Sequence, residues 1–140
     1  MTDGVTDLGE LLHGAFRGLR RSWSEQLAPY GLTPHQWRGL HTLHRIGTPV
    51  RLRELAERLH IAPRSATEVV DQLVERDLVT RAADSTDRRA ILVELTDSGQ
   101  DLVARIRAAR RERADVFFGT LGRAEQKELG KLLQRLVDQD

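Results

Sequence analysis

The residues of this sequence best placed to do chemistry are arginines beside carboxylates at a turn. "DSTDRR", Asp84 to Arg89, sets two adjacent guanidiniums behind an aspartate, and the apolar segment "AILVELT" follows at once. An arginine offers five N–H donors on a planar fork that stays charged, so its chemistry is recognition of an anion or of the acceptor edge of a base. A second set stands upstream, where "PRSATE" gathers Pro63, Arg64, Ser65, Thr67 and Glu68 at what reads as a helix start. Nothing in the chain adds covalent chemistry to these groups. No Gly-rich phosphate loop, H-E-x-x-H or G-x-S-x-G is present, and the five histidines have no evident nucleophile partner, so no enzyme is expected. The absence of cysteine excludes disulfides, thiolate zinc sites and thiol redox sensing. His41 and His44 have the i,i+3 spacing of a shared metal site, but a tetrahedral set is not completed, and neither metal nor cofactor is expected.

The elements that must hold the two arginine sets are legible from periodicity. Leu8, Leu11, Leu12, Ala15, Phe16, Leu19, Trp23 and Leu27 step by threes and fours along one long helix, which "PYG" breaks. Thr33, Pro34 and Gln36 predict a capping box with proline in the first turn, and Leu32 and Trp37 occupy the positions of a hydrophobic staple. Leu40, Leu43 and Ile46 extend that second helix to "GTP". "LRELAERLHI" predicts a short helix with Leu52, Leu55, Ala56 and Leu59 inward. The tight turn "HIAP" leads to another helix with Ala66, Val69, Val70, Leu73 and Val74 inward. Two helices joined so closely read as a helix-turn-helix. "LVTRAAD" and "AILVELT" then predict a hairpin, the second strand turning Ile91, Val93 and Leu95 to the core. The arginines of "DSTDRR" fall on its tip. A long helix starting at Thr96 or Asp97 carries Leu102, Val103, Ile106, Phe117 and Phe118. After Gly122 a last helix carries Leu129, Leu132, Leu133, Leu136 and Val137.

Bulk composition agrees with one domain. At 140 residues, with 39% hydrophobic and 31% charged residues, the chain is long enough to bury a core without covalent staples. The opening "MTDGVTDLGELL" lacks the basic stretch of a signal peptide and no apolar run is long enough to span a membrane, so a cytoplasmic protein is expected. The net charge is only +1, and between Arg51 and Val93 eight arginines face eight acidic residues. Any polyanion must therefore be met by a few placed cations rather than by a diffuse positive field.

The block "LAERLHIAPRSATEVVDQLVERDLVTRAADSTDRRAILVELTDSGQ" resembles the MarR family of bacterial transcriptional regulators. It carries the family's helix-turn-helix, its D-x-x-D-R-R wing tip and its L-T-x-x-G helix start, and the likeness runs from Leu8 to the C-terminus. The resemblance implies a mainly α fold with a small β-hairpin wing: a winged helix-turn-helix with N- and C-terminal dimerisation helices. Residues 1–140 would form a single domain of this type, with dimerisation helices at about 8–30 and 97–140 and a DNA-binding unit at about 33–96. The apolar stripes at both ends of the chain independently suit a homodimer, whose two-fold axis would match half-sites about one helical turn apart.

A helix-turn-helix of this kind puts the start of its second helix in the major groove, giving Pro63, Arg64, Ser65, Thr67 and Glu68 as candidate DNA-binding residues. Arg64 suits the O6 and N7 edge of guanine, and Pro63 sets the helix start. The family resemblance further implies that Arg89 inserts into a narrow minor groove with Asp87 bracing its guanidinium, and that Arg88 meets a phosphate. It also implies repression of a pseudo-palindromic operator and release by a small aromatic or anionic effector, for which His13, Arg17, Trp23, Trp37, His41 and His44 are candidate lining residues. The alternative is a winged-helix module that uses the same surface for protein contacts without binding an operator.

Overall fold

The structure, a computed structural model, describes residues 7–139. The expected lack of a leader rests partly on residues 1–6, which lie outside that range. The described elements are α1 (Leu8–Leu27), α2 (Pro34–Ile46), β1 (Val50–Arg51), α3 (Leu52–Leu59), α4 (Pro63–Glu75), β2 (Val79–Ala83), β3 (Ile91–Leu95), α5 (Asp97–Phe117) and α6 (Arg123–Val137). They divide into two compact units: residues 24–108, and a terminal unit formed by the chain up to Trp23 with Ala109 onward. Among the described residues, no helix is long and apolar enough to cross a membrane.

The 24–108 unit is the winged helix-turn-helix, and its core follows the predicted stripes. Leu40, Leu55, Val70, Leu73, Val93 and Ile106 lose essentially all contact with solvent. Thr33 caps α2 as its sequence requires: the hydroxyl accepts from the Gln36 amide at 3.1 Å, and the Gln36 side chain accepts from the Thr33 amide at 3.0 Å. Leu32 and Trp37, the staple positions, are both buried in the same cluster. Between α3 and α4 the chain turns on His60, which adopts the left-handed conformation (φ 54°), while Arg38 of α2 donates to the Leu59 carbonyl at 2.8 Å. That bond occupies one of the carbonyls that a helix end leaves open.

The sheet is antiparallel in the order β1-β3-β2, with Val50 opposite Val93 and Val79 opposite Leu95. The strand β1 is an addition to the predicted elements, because two residues are too few to show an alternation. The expected inward face of β3 holds only at Val93 and, half-buried, Leu95. Ile91 is 42% exposed, since by that point the hairpin has left the body of the unit. The L-T-x-x-G signature has a scaffolding cause. Thr96 donates its hydroxyl to the Asp77 carbonyl at 2.7 Å and accepts from the Gly99 amide at 3.0 Å, so it starts α5 and ties it to the turn after α4. A Cβ on Gly99 would lie 2.1 Å from the Leu78 carbonyl oxygen, so only glycine admits this approach.

The terminal unit combines the first part of α1, the end of α5 and α6. None of its described residues is buried. Leu8, Leu11, Leu12, Phe16, Leu136 and Val137 are each more than half exposed. The long helix α5 ends at Phe117, and Phe118 opens a short 3-10 turn through Thr120 rather than continuing the helix as predicted.

Candidate nucleic-acid interface

Ala62 enters α4 in an extended conformation with no side-chain cap, and Pro63 takes the first helical position. The proline has no N–H to lose, and the amides that follow it face outward without an intrahelical acceptor, the arrangement that suits an anion. Arg64, Ser65 and Glu68 are exposed around this first turn. Thr67 is half-buried, and its hydroxyl donates to the Pro63 carbonyl at 3.0 Å. Its proton is thereby used, leaving the oxygen to accept from an external N–H donor such as a base amino group.

The wing tip is a turn built from its own carboxylates. The Asp84 amide donates to the Ala90 carbonyl at 3.1 Å, and the Ala90 amide to the Asp87 carbonyl at 3.0 Å. Asp84 Oδ1 accepts from both the amide (2.9 Å) and the hydroxyl (2.8 Å) of Thr86. Asp84 Oδ2 accepts from Arg51 Nε at 3.0 Å and Nη2 at 2.9 Å. The Thr86 amide first, then its hydroxyl and Arg51, hold the Asp84 carboxyl below the usual carboxylate range, against the opposing effect of desolvation. Asp87 departs from expectation. Its carboxylate accepts from the Arg89 backbone amide at 3.0 Å, and among the described residues it makes no ion pair with the Arg89 guanidinium. A side chain two residues upstream reaches the amide in a tight Asx turn more readily than it reaches the far end of an arginine.

Charge pairing now separates the arginines of the balanced segment. Arg51 pairs with Asp84, Arg58 with Glu54, and Arg81 with Asp71 at 2.6 Å. Arg53 lies 3.8 Å from Glu57. Arg76 donates to the carbonyls of Tyr30 and Gly31. Among the described residues from Arg51 to Val93, the guanidiniums left without such partners are Arg64, Arg88 and Arg89, and all three are exposed. Asp71, an acid on α4 itself, is matched by Arg81. Pro63, Thr67, Asp87 and Arg89 line one open groove of about 430 Å³, with Ala90 and Ile91 on the wing side and Arg51, Leu52 and Arg53 at the start of α3. The structure thus brings Asp87 and Arg89 of the wing and Pro63 and Thr67 of α4 to one concavity, while Arg64, Ser65, Glu68 and Arg88 are not among its lining residues. Sequence reasoning missed Arg51 and Asp84, because their link depends on β1 pairing, which no local pattern signalled.

The candidate effector residues divide between the units. In the 24–108 unit Trp37 is buried and stacks on His41, with ring centroids 5.1 Å apart and planes 10° from parallel. His44 turns elsewhere. Arg107 Nη1 lies 2.9 Å from its Nε2 and Gln100 Oε1 3.4 Å from its Nδ1. A guanidinium can only donate, so Nε2 is the acceptor and Nδ1 the donor. In the terminal unit His13 and Arg17 are exposed. Trp23 is half-buried with Arg110 4.8 Å above its ring, and donates its indole N–H to the Arg110 carbonyl at 3.4 Å. Burial pushes the Arg110 guanidinium down to about 10. No group of three or more His, Asp or Glu among the described residues is arranged to hold a metal ion.

Comparison with known proteins follows the same outline. Residues 32–91 match the MarR family. The chain is 26% identical to the HTH-type transcriptional repressor MdtR of Bacillus subtilis, over 95% of this chain and 85% of that one. A crystal structure of wild-type Escherichia coli MarR in its apo form superposes with a TM-score of 0.84 at 25% identity, covering 94% of this chain and 96% of the other. A mutant of the same protein in complex with operator DNA superposes with a TM-score of 0.72 at 24% identity, covering 97% of each chain, which bears on the fold. A Mycobacterium tuberculosis MarR family protein in complex with salicylic acid is 28% identical, with a TM-score of 0.74 over 94% of this chain and 96% of that one.

Proposed function

A MarR-type winged helix-turn-helix is the premise, and from it we propose that this chain is a cytoplasmic, sequence-specific regulator of transcription that binds a pseudo-palindromic operator as a homodimer and represses. The observation that carries the reading is the charge pairing. Where eight arginines meet eight acids, the guanidiniums that internal carboxylates and carbonyls do not take are Arg64 at the start of α4 and Arg88 and Arg89 on the wing. Arg64 reads a guanine edge, with Ser65, Thr67 and Glu68 beside it and Pro63 setting the helix start. Arg89 enters the adjacent minor groove, Arg88 meets a phosphate, and Asp87 shapes the turn that presents them. The second copy covers the exposed apolar stripes of α1 and α6, which supplies the two-fold axis that a palindrome requires.

Release by a small aromatic or anionic effector is part of the proposal. It is supported by the mycobacterial relative in complex with salicylic acid; the candidate contacts are Trp37, His41 and His44 in the 24–108 unit and, taken separately, His13, Arg17 and Trp23 in the terminal unit. The test is a fluorescence anisotropy titration on duplex DNA upstream of the protein's own gene, against a scrambled duplex, at several salt concentrations and with and without salicylate. Specific binding should exceed scrambled binding by about a thousandfold or more. Arg89→Ala should remove most of the preference at the flanks of each half-site. Equal weak binding to both duplexes would sink the operator reading in favour of a protein-contact module.

A further inference from the structure

We propose that Arg51 is a positioning residue for the wing: by clasping Asp84 across the sheet it fixes where Arg89 is presented, without itself contacting DNA. The inference rests on the operator-binding reading and deepens it. Arg51 is the last residue of β1, directly before α3, and pairs with Leu92 of β3, which in turn pairs with Ala82 of β2. The Arg51 side chain therefore passes the central strand to reach Asp84, the first residue beyond the far edge strand. There it places two N–H donors on one carboxylate oxygen, at 2.9 and 3.0 Å.

The geometry continues to the tip. Asp84 spends its other oxygen on Thr86, and its amide holds the Ala90 carbonyl. The Ala90 amide holds the Asp87 carbonyl, and the Asp87 carboxylate holds the Arg89 amide. Among the described residues, Arg51–Asp84 is the only side-chain hydrogen bond or ion pair that ties residues 84–90 to anything outside the hairpin. Asp84 is 8% exposed, so the carboxylate end of this link is shielded from solvent, while the Arg51 side chain is half exposed. Without it the tip is a self-contained turn on two strands, free to lean as the hairpin leans. A side chain that must enter a narrow groove loses affinity when its base moves, because more freedom is lost on docking.

A guanidinium already matched by a carboxylate releases little from the counterion atmosphere of DNA, which separates this role from a phosphate contact. The probe is a duplex that the wild-type protein selects from a random-sequence library, compared with a scrambled duplex of the same composition. Arg51→Ala should weaken specific binding by about three- to tenfold, leaving scrambled binding and the salt slope near wild type. Asp84→Asn should match it. In an Arg89→Ala background Arg51→Ala should cost nothing more, since the clasp acts through Arg89. Arg51→Lys, which keeps the charge but loses the two-donor edge and folds more safely, should fall between wild type and Arg51→Ala. A salt slope lowered by about one would make Arg51 a phosphate contact and overturn the proposal. Unchanged specific affinity in all three single variants, or additive losses with Arg89→Ala, would also overturn it. If instead the wild type selects no duplex, or Arg89→Ala binds like wild type, it is the operator reading that fails, and the inference goes with it.

Discussion

The two units of this chain solve the problem of apolar surface in opposite ways. The 24–108 unit hides its stripes inside itself: every buried apolar side chain among the described residues lies between Leu27 and Ile106. The terminal unit has equally regular stripes and buries none of its described residues. Similar periodicity thus produces a core in one place and an uncovered face in the other. What differs is the neighbourhood: α2, α3, α4 and the sheet surround one another, whereas α1 and α6 keep a face in excess. A stripe of leucines in a sequence says that something will be covered, not what will cover it.

The largest effect expected from this contrast is on the terminal unit. Leu12→Glu with Leu133→Glu should abolish the proposed dimer, because a two-fold interface repeats each introduced charge, at a cost of more than about 4 kcal/mol per dimer. The 24–108 unit, having its own core, should keep its protection from amide hydrogen exchange. Light scattering reads the first outcome and exchange the second. An unchanged dimer mass would show that these stripes are not the interface. Next in size, Gly99→Ala should strike the other unit, removing about 3 kcal/mol through collision with the Leu78 carbonyl, as urea denaturation would report. Thr33→Ala should cost about 1 kcal/mol by opening the α2 capping box, with dimer mass unchanged.

The smallest effect is on the wing. The folded-state pKa of Asp84 lies below its unfolded value, so the stabilisation it confers is complete above about pH 4 and is lost as pH falls through the lower, folded value. Thermal scans should show the wild type losing its advantage over Asp84→Asn in that acidic window alone. A gap that persists at lower pH would mean that Asp84 acts through shape rather than charge.

Much of the fold was legible because it is written locally. Thr33 and Gln36, three residues apart, announce a cap, and the steps from Ala66 to Leu73 announce an inward face. The two arginines behind Asp87 announce a tip, and the tip and α4 stand where those patterns placed them; the groove they share appears only in the fold. The links that failed to show are long-range. Arg51 meets Asp84 through a two-residue strand whose partner lies some forty residues on, and Arg81 neutralises Asp71 across the start of the hairpin. Composition counted those charges as cancelling without saying which would cancel which. Asp87 shows the reverse case, in which the family resemblance implied a brace on the Arg89 guanidinium and the backbone amide was nearer.

His60, at the turn between α3 and α4, bears on how such a chain can change over generations. Its left-handed conformation (φ 54°) disfavours a residue with a Cβ by about 1 kcal/mol, and glycine would relieve that penalty at the expense of a looser unfolded chain. A residue is held in such a conformation by the structure around it, and Leu55, Leu59 and Val70, on the two helices that this turn joins, are buried in one cluster. Arg64, Ser65 and Glu68 beside the turn are exposed and lie outside that cluster, so their side chains can be exchanged without unfolding the domain. New sequence preferences can therefore arise on the face of α4 one substitution at a time.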